Sequence, residues 1–203
     1  MTIKRCFDPV VDAHTRVLVL GSLPGEASLA HQQYYAHKQN KFWHLVGDVI
    51  GVDLVAMDYE ARLQSLRAHR VGLWDVVAQA RREGSLDGNI RDHAGNDLVA
   101  LVESLPALEA IAFNGGTAAR LGARILGVHA RRFTMLALPS TSPAYASMSY
   151  AAKRLAWHAL APFVGEGACA GDAHDRGESA ESADSVDVND AARPRKRPSS
   201  ARH

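Results

Sequence analysis

Residues 32–43 read QQYYAHKQNKFW, and the stretch gathers side chains of several chemical kinds with almost no carboxylate. Tyr34 and Tyr35 offer aromatic faces. Asn40 offers a paired donor and acceptor, and His37 and Lys38 offer cations. Such a set suits recognition of a base turned out of a helix together with its phosphate backbone. The same residues also have plain structural uses. Phe42 and Trp43 can begin a buried helix, Asn40 can cap it, and the tyrosines can pack.

Two other segments hold polar groups at strand ends. Gly21-Ser22-Leu23-Pro24-Gly25 follows an apolar run. It lacks the GxGxxG and GxxxxGK[ST] spacings of nucleotide loops, so a tight turn presenting backbone N–H groups to a ligand is the better reading. In PSTSPAYAS, Ser140, Thr141 and Ser142 sit between prolines. They form either a simple turn or a set of hydroxyl and backbone donors for phosphates. Pro143 shapes that turn, and Tyr145 just beyond it has the form of a wedge for a base stack. No GxSxG elbow surrounds the serines, which argues against a serine hydrolase.

The elements needed to hold these segments are legible from hydrophobic spacing. Residues 16–20, 72–77, 110–114 and 133–137 read as buried strands, and 42–50, 59–69, 97–105, 117–126 and 150–162 as helices. Strands alternating with helices predict a three-layer α/β/α sandwich around a central, mostly parallel four-stranded sheet. In such sheets ligands bind beyond the carboxyl ends of the strands. There GSLPG, the polar stretch RREGSLDGNIRDHAGND read as a loop, NGG and PSTSP are expected to converge.

The chain of 203 residues is 47% hydrophobic and 22% charged, with net charge +1. Those values suit one soluble domain with a sizeable core and a tail. Residues 1–164 form the expected domain, with 17 basic and 14 acidic side chains; residues 165–203 hold six basic and eight acidic ones. This tail has no aromatic residue and too little apolar surface to order itself, so a disordered charged tail is expected. Its basic end, RPRKR, is either solvated or an electrostatic anchor for nucleic acid. Cys6 and Cys169 cannot supply an iron–sulfur cluster or a cysteine-rich zinc site, and no metal is expected. No apolar run is long enough to span a membrane and no signal peptide is evident, so a cytoplasmic protein is expected.

Taken in order, GSLPGEASLAHQQYYAHKQNKFW, AFNGGTAA and LPSTSPAYAS resemble the uracil-DNA glycosylase superfamily, and within it the hypoxanthine-DNA glycosylase branch known as family six. The similarity covers residues 15–163. It implies a monofunctional DNA glycosylase that hydrolyses the N-glycosidic bond of a deaminated base, above all deoxyinosine, in base excision repair. Its partner would be damaged DNA, it would act as a monomer without a cofactor, and in a bacterium it would work at the nucleoid.

By the same resemblance Asn40 is the catalytic residue and Tyr35 stacks on the extruded base. Asn114 reads the base edge, and Ser140, Thr141 and Ser142 lie against DNA. From their own chemistry, the backbone of Gly21, Ser22, Leu23 and Gly25 is expected to hydrogen-bond the base, and His37, Lys38, Pro143 and Tyr145 to contact DNA. Two departures stand out. Leu23 occupies the place of an asparagine used by mismatch-specific relatives, and Lys38 replaces the family's proline. The other readings are a uracil or mismatch-type enzyme of the same superfamily and a DNA-binding module without activity.

Overall fold

Val17-Leu18-Val19-Leu20 is the fully buried spine of the molecule. A run of β-branched and leucine residues with apolar side chains on both faces belongs to the centre of a parallel sheet. In the computed structural model, which describes residues 3–165, this run is strand β2 (Val17–Gly21). It follows a short β1 (Ile3–Arg5) and precedes α1 (Glu26–His31), α2 (Phe42–Ile50) and α3 (Tyr59–Ala68). The chain continues through β3 (Val71–Asp75), β4 (Val77–Arg81), β5 (Arg91–Gly95), α4 (Leu98–Glu103), β6 (Ala110–Asn114) and α5 (Gly116–Leu126). It ends with β7 (Thr134–Leu138), α6 (Tyr150–Trp157) and a 3₁₀ turn over His158–Phe163.

The main sheet has the order β3-β2-β6-β7, and every pairing in it is parallel. Val17, Val19, Val71 and Leu73 face a core shared with Phe42, Leu45, Leu66 and Trp157, which belong to α2, α3 and α6. Leu18, Leu20 and Ile111 face Leu98, Val102, Leu121 and Leu126 of α4 and α5. Helices therefore cover both faces, as the alternation of apolar runs predicts. The element boundaries agree with the sequence reading to within a few residues.

One expectation fails. The polar stretch read as a loop after the second strand forms structure of its own: β4 and β5 pair antiparallel, and β1 joins β4. This second sheet of three strands has the order β1-β4-β5. Single-strand periodicity is weak there because β4 carries Gln79 and Arg81 on its exposed side and β5 (RDHAG) has no large apolar residue. Pairing rather than composition makes these residues strands. The expected tail lies outside the described residues. None of the described helices is long and apolar enough to cross a membrane.

The register aligns the strand ends. Gly21 is opposite Asp75, and Asn114 is opposite Leu138. Because Leu20 pairs with Phe113, Gly21 and Asn114 are neighbours on the next rung. Asp75, Gly21 and Asn114 thus stand side by side at the carboxyl edge, on the face covered by α2. Replacing Leu18 by Ala should cost about 3 kcal/mol in chemical denaturation, since a buried leucine leaves a cavity. Arg16→Ala, which removes an exposed ion pair to Glu109 (2.7 Å), should leave the midpoint nearly unchanged.

Candidate active site

Asn114 is 7% exposed and is the last residue of β6. Its Nδ2 donates to the Tyr35 hydroxyl (3.0 Å) and to Thr141 Oγ1 (2.9 Å), and its Oδ1 accepts from Thr141 N (2.9 Å). One planar amide therefore joins a strand end, the aromatic stretch and the serine–threonine loop. Gly115 follows at φ 102, a conformation only glycine adopts freely, and a Cβ there would meet Ser140 Cβ at 3.1 Å. The chain can turn under the 139–142 loop only because that side chain is missing.

Tyr35 approaches from the turn after α1. Its backbone is left-handed (φ 53), a strain of roughly 1–2 kcal/mol for a bulky residue. Packing holds it there. Its ring stacks on Phe42 with centroids 3.9 Å apart and 15° between planes, while Phe42 meets Trp157 edge-on. The ring is partly exposed, whereas the hydroxyl end is buried. Burial, and then the charge of Asp75, hold the phenol well above its ordinary pKa, opposed by the Asn114 bond.

Asn40 lies between these parts. Its amide N–H closes a turn onto His37 O (2.8 Å), and its Oδ1 accepts from Phe42 N (3.0 Å) at the start of α2. The next residue, Lys41, donates its N–H to Thr141 O (3.1 Å). Asn40 thus serves the first turn of α2 as a cap would, although Lys41 is the N-cap position. One carbonyl lone pair and the amide nitrogen remain for a ligand or a water. Lys38 occupies the second position of the His37–Asn40 turn, a place for which proline is preset. The turn closes without proline, helped by Gln39 N donating to His37 Nδ1 (3.2 Å). His37 and Lys38 are exposed.

The GSLPG loop is held through its carbonyls. Gly21 O and Ser22 O accept from Val76 N (2.8 Å) and Val77 N (3.0 Å). Leu23 O accepts from Arg82 Nη1 (3.1 Å), and Pro24 O from Arg82 Nη2. Ser22 Oγ donates to Asp87 Oδ1 (2.6 Å), and Ser85 Oγ accepts from Glu26 N (2.9 Å) at the start of α1. Arg82, Ser85 and Asp87 all come from the excursion between β4 and β5. That excursion is the structural reason GSLPG keeps its shape, and sequence reasoning treated it as a plain polar loop.

In the last loop Thr141 is buried with its hydroxyl serving Asn114, so it does not project toward a ligand as expected. Ser140 Oγ and Ser142 Oγ accept from Ser142 N (3.2 Å) and Ala144 N (3.3 Å), which leaves their protons free to be donated. Pro143 is exposed, and Tyr145 is 39% exposed. Lys153 Nζ donates to Tyr145 O (2.7 Å) and sits 5.1 Å from its ring centroid, which holds that ring out at the rim.

Asp75 was not singled out by sequence, although GLWD ends a strand with a lone carboxylate. It is 3% exposed, and its Oδ2 has no hydrogen-bond partner. Burial and then the charge of Asp87 push its carboxyl up to about 7, opposed by Arg82 and the Tyr34 hydroxyl. Among the described residues, no three His, Cys, Asp or Glu side chains gather as metal ligands.

Residues 9–161 match the uracil DNA glycosylase superfamily model. A strand-edge site of amides and aromatic rings on a parallel sheet is what these residues build, and the chain belongs to that superfamily. Among its relatives is a hypoxanthine DNA glycosylase from Methanosarcina acetivorans, 44% identical over 142 residues, covering 70% of this chain and 88% of the relative. A hypoxanthine DNA glycosylase from Methanosarcina barkeri is 44% identical over 112 residues, covering 55% of this chain and 71% of the relative. The solution NMR structure of a candidate uracil DNA glycosylase from Methanosarcina acetivorans superposes with a TM-score of 0.70 at 41% identity, over 78% of this chain and 96% of that one.

Two outcomes are expected from this geometry. Lys38→Pro should raise unfolding stability by about 0.5–1 kcal/mol in urea titrations, because it restricts the unfolded chain at a turn position that already suits it. Asp75 binds its proton more tightly folded than unfolded, so it adds stability below pH 3.8 that is lost as pH rises through about 7. Asp75→Asn should therefore gain on the wild type between pH 4 and pH 8, by up to roughly 4 kcal/mol. Parallel denaturation curves across that range check the sign.

Proposed function

We propose that the protein is a monofunctional DNA glycosylase that hydrolyses the N-glycosidic bond of deoxyinosine in DNA and releases hypoxanthine. The observation that carries this reading is the placement of Tyr35 and Asn40 around one buried amide. A ring anchored at its hydroxyl and backed by Phe42 offers its free face to a base, and a neighbouring asparagine offers a carbonyl to water. The 44% identity to two hypoxanthine DNA glycosylases supports the choice of base.

The reaction passes through a sugar with oxocarbenium character and a departing anionic base. Asn40 is too weak a base to take a proton at pH 7, so its role is to orient the water that attacks C1′ and to place its carbonyl dipole toward the cationic sugar. With four successive carbonyls of Gly21–Pro24 engaged by protein donors, the amides of the GSLPG loop serve the base. Asn114 already uses both amide hydrogens and accepts one bond, so it acts by positioning Tyr35 and Thr141 more than by reading a base edge.

Ser140, Ser142, His37 and Lys38 lie where hydroxyls and cations can meet phosphates, and Tyr145 where a wedge would enter the stack. No cofactor takes part. Residues 1–164 act as a catalytic unit, working as a monomer on DNA in the cytoplasm or at the nucleoid, with the basic tail end as a further contact. Extrusion is cheapest at mispaired inosine.

Leu23, in place of the asparagine of mismatch-specific relatives, weighs against uracil as the main substrate. Oligonucleotides each carrying one lesion, scored for abasic sites, test this choice. Deoxyinosine should be cut fastest, and Asn40→Ala should lose about a hundredfold or more in single-turnover rate. Uracil cut faster than deoxyinosine, or Asn40→Ala at wild-type rate, would overturn the assignment.

A further inference from the structure

Two unmet hydrogen-bonding needs meet at one rung of the sheet. The Tyr35 hydroxyl oxygen accepts from Asn114 Nδ2 (3.0 Å), so its own proton must point elsewhere. Asp75 Oδ2 is buried without a partner. A Cβ built on Gly21 would stand 2.5 Å from Oδ1, the other oxygen of the same carboxyl, and 3.1 Å from the Tyr35 hydroxyl, so the carboxyl and the phenol both border the space that this glycine leaves empty. A buried polar group left unsatisfied is costly, which favours their meeting.

We propose that Asp75 is a positioning residue of the active site: across Gly21, its carboxyl takes up the free side of the Tyr35 hydroxyl and thereby fixes the ring that stacks on the extruded base. The inference deepens the glycosylase reading and rests on it for the stacking role. Asp75 has no path to the reacting atoms in this arrangement, being 3% exposed, and acts through Tyr35. The geometry also explains how a left-handed Tyr35 persists: Phe42 holds one face, Asn114 the hydroxyl oxygen, and Asp75 the remaining proton.

The groups facing Asp75 come from four segments. They are Tyr34 and Tyr35 from the turn after α1, Arg82 after β4, Asp87 in a short 3₁₀ turn (Asp87–Asn89) between β4 and β5, and Cys6 after β1. The Tyr34 hydroxyl donates its one proton to Asp8 O (3.3 Å). With burial pushing Asp75 up to about 7, the carboxyl changes charge within the working range, and the phenol should register it.

The test uses the full chain without DNA, labelled with ¹³C at the tyrosine ζ carbon, and takes the resonance lost in Tyr35→Phe as that of Tyr35. Between pH 5 and 9 this resonance should shift with a midpoint near 7 in the wild type and stay flat in Asp75→Asn. A wild-type signal indifferent to pH, or the same titration in Asp75→Asn, overturns the proposal. Steady-state cleavage of a deoxyinosine duplex forms the second arm. Asp75→Leu should lower kcat about tenfold with KM within threefold, Asp75→Asn should recover most of it, and kcat within twofold of wild type in Asp75→Leu overturns the proposal. Circular dichroism confirms that each variant is folded. If the wild type makes no abasic product, the glycosylase reading fails, while the resonance arm still decides whether Asp75 holds Tyr35.

Discussion

A single buried amide, that of Asn114, sets the geometry on which the site depends. An asparagine side chain is planar, and its donors and acceptor have fixed directions. Once Nδ2 is committed to Tyr35 and Thr141, and Oδ1 to Thr141 N, the three segments have one mutual arrangement. Thr141 O then fixes Lys41 N, and with it the peptide that carries Asn40. Buried at the end of a central strand, the amide loses a full desolvation penalty for each bond broken, so the arrangement is stiff.

The GSLPG loop shows a second constraint. Its carbonyls point inward to backbone donors and to the buried Arg82 guanidinium, whose charge is lowered in pKa by burial and supported by Asp87 (3.8 Å) and Asp75. A buried cation is expensive unless its hydrogens are used and its charge is offset; here two carbonyls accept from the guanidinium, the Asp87 carboxylate at 3.8 Å offsets its charge, and Nε is left without a partner. The small antiparallel sheet exists beside the parallel one to deliver that cation. The shortage of carboxylates in the aromatic stretch is therefore only local, because Asp75 and Asp87 reach the same edge from other elements.

The central sheet and its covering helices were legible in sequence, since four apolar runs and five helical spacings each carry their own period. The strand-end rule then placed GSLPG, NGG and PSTSP at one edge. The β4–β5 hairpin was not legible, because β4 buries only Val77 and Ala80, β5 has no large apolar residue, and pairing rather than period makes them strands. The role of Thr141 was misread for a related reason. Three adjacent hydroxyl residues look alike in sequence, and only the packing against Asn114 buries the middle one.

By itself the sequence determined the layer architecture, the edge where the candidate site lies, and the aromatic and amide residues that stand there. Apolar period and strand–helix alternation are local properties, and the ordered segments are tied to those elements. Tertiary structure alone decided which of those polar groups are spent on one another and which are left free. It turned Asn114 into a brace, left Asn40 with an open carbonyl lone pair, and set Asp75 beside Tyr35 across a glycine. Residues 21, 35, 75 and 114 are far apart in the chain, and only the strand register makes them neighbours.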